Sequence, residues 1–441
     1  MNVTIIGAGR SGLAAAKLVQ KNGDTPFVTE ASPISKLTAA ATELDNVGIS
    51  AEFGGHTDKA LDAKLIVVSP GVPPSHPVRQ AAIKQGIPVI GELEYASRYI
   101  TNRIVAITGT NGKTTTTALT THILSTSGLN AVACGNIGTP LSSLVGTLLP
   151  NAIVVVEASS FQLDTTDHFH PFVSVILNLT PDHQYYHGSF EAYKQSKWKI
   201  FARQTGNDLV ILNADDENTL AAAQLVGCTT ALFSTRTEVD GAFVRGGEVV
   251  FRCSNKEEPL MPTHHLGLPG LHNTYNSMAS ALASRAFEVS NESIRDSLSS
   301  FSGVEHRLET VRTVNGVRWV NDSKATNVNA AWYALASFDH PIVWIAGGRA
   351  DDNDYALLDE LVDTNVRAIV CIGEQADAIF NRWCTTHRCV KAHTMADAVA
   401  AAAELAEPSD IALLSPACKS FDMFTSFEDR GTVFKQSVLL L

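Results

Sequence analysis

The chain has no CxxC pair; its seven cysteines form an odd, scattered set. Such a set reads as reduced thiols and not as a disulfide framework. Cys418 is expected to be a small buried side chain. No run of eighteen apolar residues occurs, so no membrane span is expected. The N-terminus, MNVTIIGAG, enters a strand at once, without a basic segment or a cleavage site. A cytoplasmic protein with no membrane partner is the expectation. There is no basic excess either. Lys and Arg number 33 against 45 Asp and Glu, and the net charge of -12 is spread along the chain. That argues against a nucleic-acid surface and for solubility. Internal repeats, low-complexity tracts and long linkers are also missing.

What remains is 441 residues with 45% apolar and 18% charged content, ordinary for a globular protein. One core does not usually serve a chain of this length, so two to four domains are expected. Short apolar runs, mostly β-branched, alternate with helix-like stretches throughout. They fall at 3–6, 65–68, 104–107, 153–156, 173–177, 317–320, 342–345, 368–372 and 411–414. Near-continuous apolar runs suit strands covered on both faces, and alternation with helices implies parallel sheets of βαβ units. Residues 239–261 alternate more and carry glycines, which predicts a small antiparallel excursion. Boundaries are expected near 95–101, where a new strand follows, and near 299–304, after a helical run at 276–286. They divide the chain into 1–98, 99–302 and 303–441.

Gly7-Ala-Gly9-Arg-Ser-Gly12 follows a strand and opens a helix. This is dinucleotide-fingerprint spacing, with Glu30 at the end of the next strand where a ribose-binding acid would sit. A nicotinamide or flavin site, another nucleotide-diphosphate site, and simple helix-on-strand packing all fit. Ser69-Pro-Gly71 ends a third strand on the same edge, consistent with a backbone-lined pocket.

A stronger signal is Ile104-Val-Ala-Ile-Thr-Gly-Thr-Asn-Gly-Lys-Thr-Thr. A strand runs into Thr108, Gly109, Thr110, Asn111, Gly112, Lys113 and Thr114, then a threonine-rich helix containing Thr115. Backbone N–H groups of such a loop cradle phosphate oxygens. Lys113 would reach the β- and γ-phosphates, and the Thr114 hydroxyl would ligate Mg²⁺. The strict GxxxxGK[ST] pattern is not met, because position 107 is Ile. A glycine-rich turn with a solvated lysine is the plainer alternative. Glu157 ends the strand at 153–156, and His183 follows the strand at 173–177. Both fall on the edge where ligands of parallel sheets gather, although a lone acid there is often structural.

Lys197 lies on the apolar stripe of a helix expected over 191–201, with Tyr193, Trp198, Ile200 and Phe201. Lys194 shares that stripe and Lys199 points away. Periodicity alone does not separate a functional lysine from one that snorkels.

Taken together these residues resemble the Mur ligases, which add amino acids to UDP-N-acetylmuramoyl intermediates. Thr108 to Thr115 resembles the family's ATP loop. Further matching blocks are Gly135-Asn136-Ile-Gly138, Glu157-Ala-Ser-Ser-Phe-Gln-Leu and His272-Asn273-x-x-Asn276. Glu305-His306-Arg307-x-Glu309, Asn321-Asp322-Ser-Lys324-Ala-Thr326-Asn327 and Ser415-Pro-Ala-Cys418-Lys-Ser420-Phe-Asp422 complete the series. They run in order over nearly the whole chain. The Phe-Gln-Leu after Glu157 and the last two blocks are nearest to the branch that joins D-glutamate to UDP-N-acetylmuramoyl-L-alanine.

The resemblance implies an α/β fold of three domains. The first would be Rossmann-like and bind the UDP substrate. The second would be a P-loop-like parallel sheet binding ATP, and the third a Rossmann-like domain receiving the amino acid. It also implies a monomer and roles for particular residues. Thr114 and Glu157 would hold one Mg²⁺, and His183 with a carbamylated Lys197 a second. Asn273, Arg307 and Asp322 would surround ATP. Arg10, Ser11, Glu30, Gly71, Asn136 and His183 would meet the UDP substrate, which turns the glycine motif into a UDP site. Lys324, Thr326, Ser420 and Phe427 would take the amino acid. Ligation would proceed through an acyl phosphate in peptidoglycan precursor synthesis.

Two stretches depart from the family. After His183 it continues Leu-Asp-Arg, where this chain has Gln184-Tyr185-Tyr186. Beyond Gly347-Gly348 the family lysine that meets a carboxylate of the amino acid aligns with Asp351, in Arg349-Ala350-Asp351-Asp352. An acid there repels a carboxylate. Arg349 replacing the lysine, a different amino acid, and impaired activity are the three readings. A folylpolyglutamate synthetase-like ligase would share the ATP loop, but the Asn321–Asn327 block and the N-terminal unit oppose it. An NAD-dependent dehydrogenase would leave the phosphate loop unexplained.

Overall fold

A computed structural model describes residues 1–254, 256–349 and 353–441, apart from the side chain of Asn329. Asp351 therefore lies outside the described residues. Two compact units divide the chain, Met1–Phe301 and Ser302–Leu441.

The first unit holds two sheets. One is wholly parallel, with strands β1 (Asn2–Ile6), β2 (Thr25–Glu30), β3 (Ser50–Phe53), β4 (Leu65–Val68) and β5 (Val89–Gly91). Its order is β3-β2-β1-β4-β5. The order reverses at β1, which opens a crevice beyond its carboxyl end. Gly7 to Gly12 turns there into the helix Arg10–Lys21. A Cβ on Gly12 would stand 1.9 Å from the Gly7 carbonyl, so the turn tolerates no side chain at that position.

The second sheet has nine strands: β6 (Ile104–Thr108), β7 (Ala131–Gly135), β8 (Ile153–Glu157), β9 (Val173–Ile176), β10 (Leu209–Asn213), β11 (Thr229–Ser234), β12 (Gly241–Arg245), β13 (Glu248–Cys253) and β14 (Lys256–Pro262). They run in the order β14-β13-β12-β11-β10-β9-β6-β8-β7. The strands from β7 to β12 are parallel, and β12 to β14 form the expected antiparallel extension at one edge. Every residue of β6, β8 and β9 is buried, the mark of strands covered on both faces. β6 lies between β8 and β9, so this sheet too reverses at the strand feeding the phosphate loop.

The helix Lys113–Thr126 is rich in threonine, a poor helix former. Tertiary packing holds it. It lies along the helix Leu271–Arg285, whose Ser277, Ala279, Ser280, Ala281, Ala283 and Ser284 are small enough to let the two backbones approach.

The second unit carries β15 (Glu309–Val314), β16 (Val317–Asn321), β17 (Ile342–Gly347), β18 (Val366–Ile372), β19 (Arg388–Ala392) and β20 (Ile411–Leu414). Their order is β15-β16-β20-β17-β18-β19, parallel except for the β15–β16 hairpin. Trp319 and Trp344 are buried in the hydrophobic cores on opposite faces of this sheet. Among the described residues no helix is long and apolar enough to cross a membrane.

Candidate active site

The phosphate loop begins where β6 ends. Gly112 caps the following helix in the left-handed region at φ 85°. A Cβ there would stand 2.4 Å from Asn276 Oδ1, so glycine is required twice over. Asn178 pins the loop, its carbonyl accepting from Thr110 N at 2.8 Å and its Oδ1 from Asn111 N at 2.8 Å. Tyr193 Oη meets Thr110 Oγ1 at 2.9 Å. Lys113 Nζ donates to the carbonyls of Gly109 and Thr110 at 2.9 and 2.8 Å. Thr115 is buried within the helix.

The sheet register brings Glu157 to the loop, since β8 pairs Glu157 with Ile107 of β6 and β7 pairs Gly135 with Glu157. The Thr114 hydroxyl donates to Glu157 Oε2 at 2.7 Å, and Asn136 Nδ2 donates to Oε1 at 2.9 Å. Glu157 is 2% exposed, so these bonds replace water around a buried carboxylate. The structure thus joins three residues that lie apart in sequence: Thr114, Asn136 and Glu157.

Lys197 does not snorkel. It is 1% exposed, and its amine donates to Gly109 O at 2.8 Å and Thr108 Oγ1 at 3.2 Å. Burial, reinforced by the charge of Lys113, drives its pKa well below the usual lysine value. Lys194, by contrast, pairs with Glu191 at 2.8 Å, and Lys199 reaches Asp164. The helix carrying them spans Phe190–Trp198 and passes into a 3₁₀ turn at Lys199–Phe201, so the single helix expected over 191–201 is in fact two segments.

His183 caps a short helix at φ 51°, with Nε2 3.4 Å from Asp182 Oδ2 and its ring centroid 4.7 Å from that of Phe161. Burial lowers its pKa against the pull of Asp182, and Lys197 and Lys113 add to the lowering. Asn273 bonds Pro269 O at 2.8 Å and accepts from Asn276 Nδ2 at 3.2 Å, beside the phosphate-loop helix.

A cleft of about 240 Å³ opens between the two sheets of this unit. Gly9, Arg10, Ser11, Ser69 and Pro70 form one wall, and Gly135, Asn136, Gly138 and Pro140 the other. Arg10 Nη1 reaches Gly138 O across it at 3.5 Å. Glu30 and Gly71 are not among the lining residues. Glu30 instead accepts from Ala8 N and Ser32 N at 2.9 and 2.8 Å. Burial pushes its pKa up, but those N–H groups hold it below its ordinary value.

In the second unit Asp322 accepts from Leu308 N at 3.2 Å and from the Ser415 hydroxyl at 3.0 Å. Burial pushes its pKa up to about 7, against the charge of Arg307. Lys324 Nζ stands 5.4 Å from the Phe427 ring centroid, so those two expected amino-acid contacts meet. The Ser323 hydroxyl donates to the Phe427 carbonyl at 2.8 Å. Ser420 is buried, and Thr326 is half-buried with its N–H on Lys324 O. Arg349 is exposed and paired with Glu374 at 3.2 Å.

Residues 1–91 match the Mur ligase MurD-like N-terminal domain, 107–284 the Mur ligase middle domain, and 306–418 the Mur ligase glutamate ligase domain. The chain is 48% identical to a UDP-N-acetylmuramoylalanine--D-glutamate ligase of Salinibacter ruber, covering 99% of this chain and 97% of that one. The chain belongs to the Mur ligase family. The protein of the same name from Chloroherpeton thalassium is 41% identical over 99% of this Mur ligase and 97% of its own length. The fold extends to solved structures of low identity. The UDP-N-acetylmuramate-alanine ligase MurC of Thermotoga maritima superposes with a TM-score of 0.60 at 17% identity, covering 100% and 99% of the two chains. Escherichia coli FolC superposes with 0.57 at 19%, covering 77% and 89%.

In this Mur ligase the sequence reading missed Tyr193 and Asn178 as anchors of the phosphate loop. Tyr193 was visible only as one aromatic on the same stripe as Lys197. Asn178 opens the run that ends in His183, and nothing local in the sequence sets it apart.

Asp322 also sets a pH dependence in this Mur ligase. Its folded pKa lies above the ordinary aspartate value, about 3.8, so the folded form binds the extra proton between pH 4 and 7. The stability this group contributes then falls as pH rises through that window. Asp322→Asn is expected to melt with wild type near pH 4 and above it near pH 8. Equal melting temperatures at both pH values would contradict the raised pKa.

Proposed function

We propose that this chain is the ATP-dependent ligase that joins D-glutamate to UDP-N-acetylmuramoyl-L-alanine in peptidoglycan precursor synthesis. The observation that carries the reading is the meeting of Lys113, the Thr114–Glu157 pair and the buried Lys197 at the carboxyl end of β6. The relatives of the same length supply the substrates. On this reading residues 1–98 bind the UDP substrate, 99–302 bind ATP and 303–441 receive the amino acid. The enzyme acts as a monomer in the cytoplasm, with neither nucleic acid nor membrane as partner.

A carboxylate resists attack by an amine. Transfer of the γ-phosphoryl group to the substrate carboxylate, releasing ADP, makes an acyl phosphate. The amine of D-glutamate then attacks the acyl carbon, and phosphate leaves as the amide forms. Negative charge gathers on phosphoryl oxygens and then on the tetrahedral oxygen. Lys113 and the N–H groups of Gly109 and Gly112 would stabilise it. Asn136 and His183, beside the cleft and the loop, orient the reacting end of the UDP substrate. Asn273, Arg307 and Asp322 bind the nucleotide. Lys324, Thr326, Ser420 and Phe427 bind the amino acid.

Thr114 and Glu157 offer the hard oxygen donors that magnesium prefers. Among the described residues no group of three His, Cys, Asp or Glu side chains is placed to hold a metal ion. A second site at His183 therefore needs a further oxygen ligand, which carbamylation of Lys197 would create. Magnesium bound there would neutralise phosphate charge. The buried amine of Lys197, whose pKa burial lowers, suits that modification.

The test is ADP release, expected only when ATP, UDP-N-acetylmuramoyl-L-alanine and D-glutamate are all present. Sustained ADP release beyond one equivalent per enzyme without the amino acid, or with a different amino acid preferred, would sink the assignment.

Arg349 is the candidate to replace the family lysine at the D-glutamate carboxylate. Its exposed pair with Glu374 is weak enough to be exchanged for a substrate carboxylate. Arg349→Ala is expected to raise KM for D-glutamate about tenfold with kcat nearly unchanged. An unchanged KM would remove Arg349 from the site.

A further inference from the structure

Tyr186 is 8% exposed. Its ring packs on Phe161 at 4.5 Å and His187 at 4.7 Å between centroids. Its hydroxyl has two partners across the seam between the sheets of the first unit. Arg79 Nη1 donates to it at 3.3 Å, and it donates to the Val72 carbonyl at 3.5 Å. Arg79 Nη1 also reaches Val72 O at 3.3 Å, closing a three-membered ring of contacts. The guanidinium goes on to Asp164 Oδ2 at 3.4 Å. Asp164 accepts from Ser196 Oγ at 3.3 Å and, through its carbonyl, from Lys199 Nζ at 2.5 Å. Ser196 and Lys199 flank Lys197.

This chain of contacts joins two parts of the proposed site. Val72 closes its turn on Ser69 O, and Ser69 and Pro70 line the cleft. Lys197 rests on the phosphate loop. We infer that Tyr186 and Arg79 form a positioning clamp that holds the cleft wall against the Lys197 helix and sets the affinity for the UDP-linked substrate. The inference rests on the ligase reading for its functional consequence, not for its geometry.

A hydroxyl suits the place because it accepts from Arg79 and donates to Val72 at once. An arginine at position 186 would set a second guanidinium against Arg79, and like charges in a half-buried seam repel. Arg79 is nearly buried, and its Nε has no partner among the described residues. Losing the tyrosine oxygen leaves a guanidinium already short of acceptors still shorter. The phosphate loop keeps its own anchors at Asn178 and Tyr193, so ATP is held independently of the clamp.

Tyr186→Phe keeps the ring packing and removes only the hydroxyl. It is expected to raise KM for UDP-N-acetylmuramoyl-L-alanine about tenfold, with kcat and KM for ATP within about twofold of wild type. Arg79→Met should do the same, and the double variant should be no worse than Arg79→Met alone. Tyr186→Arg should be worse than Tyr186→Phe and should recover when Arg79→Gln is added. A melting temperature close to wild type accompanies the Phe variant. An unchanged KM, an equal rise in KM for both the UDP substrate and ATP, a tenfold fall in kcat, or multiplicative effects in the double variant would overturn the clamp. Hydrogen exchange on the substrate-free chain is the second arm. Tyr186→Phe should speed exchange in both 70–76 and 194–201 and leave 104–108 unchanged. Faster exchange in neither or only one segment overturns the clamp even if the ligase assay works. No ADP from wild type would sink the ligase reading, while the exchange result still decides the clamp.

Discussion

Lys113→Ala is expected to lower kcat/KM by about a thousandfold or more, a loss of about 4 kcal/mol of transition-state stabilisation. The amine sits inside its own loop, bonded to the Gly109 and Thr110 carbonyls at 2.9 and 2.8 Å. Nucleotide phosphates offer a stronger, charged partner than two carbonyls, so on the proposed reading the lysine would turn to them when ATP binds. Its charge is then matched to the negative charge that develops as the phosphoryl group moves. The fold does not depend on it, because Asn178 and Tyr193 hold the loop. Melting temperature should therefore stay near that of wild type while ADP release disappears. Turnover within tenfold of wild type would show that the loop does not handle the transferred phosphoryl group.

The second large effect belongs to Lys197. Lys197→Met keeps much of the volume in a buried, apolar-tolerant place and removes the amine. A loss of about a thousandfold in kcat is expected, with only a modest change in stability. The physical case begins with burial, which favours the uncharged amine. An uncharged amine can attack carbon dioxide. A nitrogen–carbon bond forms, one proton leaves, and a carbamate anion remains as an oxygen ligand. Wild-type activity should then fall when dissolved bicarbonate is removed and return when it is restored. Labelled bicarbonate should give one carbamate signal that Lys197→Met lacks. Near-normal activity of Lys197→Met, or no such signal in wild type, would leave Lys197 as a packing residue that merely braces the Gly109 carbonyl.

Both expectations draw on a site that was unevenly legible in the sequence. The phosphate loop could be read directly, because strand, glycines, lysine and threonine are contiguous and each residue type answers a local need. Gly112 is an example: its left-handed backbone and the crowding by Asn276 leave no room for another residue. The apolar runs likewise announced buried parallel strands, since both faces of β6, β8 and β9 are covered. The helix at 191–201 was less clear. Lys194 and Lys197 share a stripe, and only the tertiary neighbours tell them apart. One finds Glu191, and the other finds a carbonyl and a hydroxyl.

Tyr186 was harder still. In the sequence it was a departure from a pattern, with no partner to give it meaning. Arg79 lies over a hundred residues earlier, on the helix Pro77–Lys84, and nothing local links the two. Arg349 shows the same limit, because Glu374 reaches it only through the turn after β18.

The sequence by itself determined the class of fold, the strand runs, the phosphate loop and the family, because these depend on residue type, period and short spacing. Only the tertiary structure decided which acid meets Thr114, which lysine is buried and what Tyr186 touches. Those contacts arise from strand order and register, which bring distant segments together and are not encoded in any one stretch of chain.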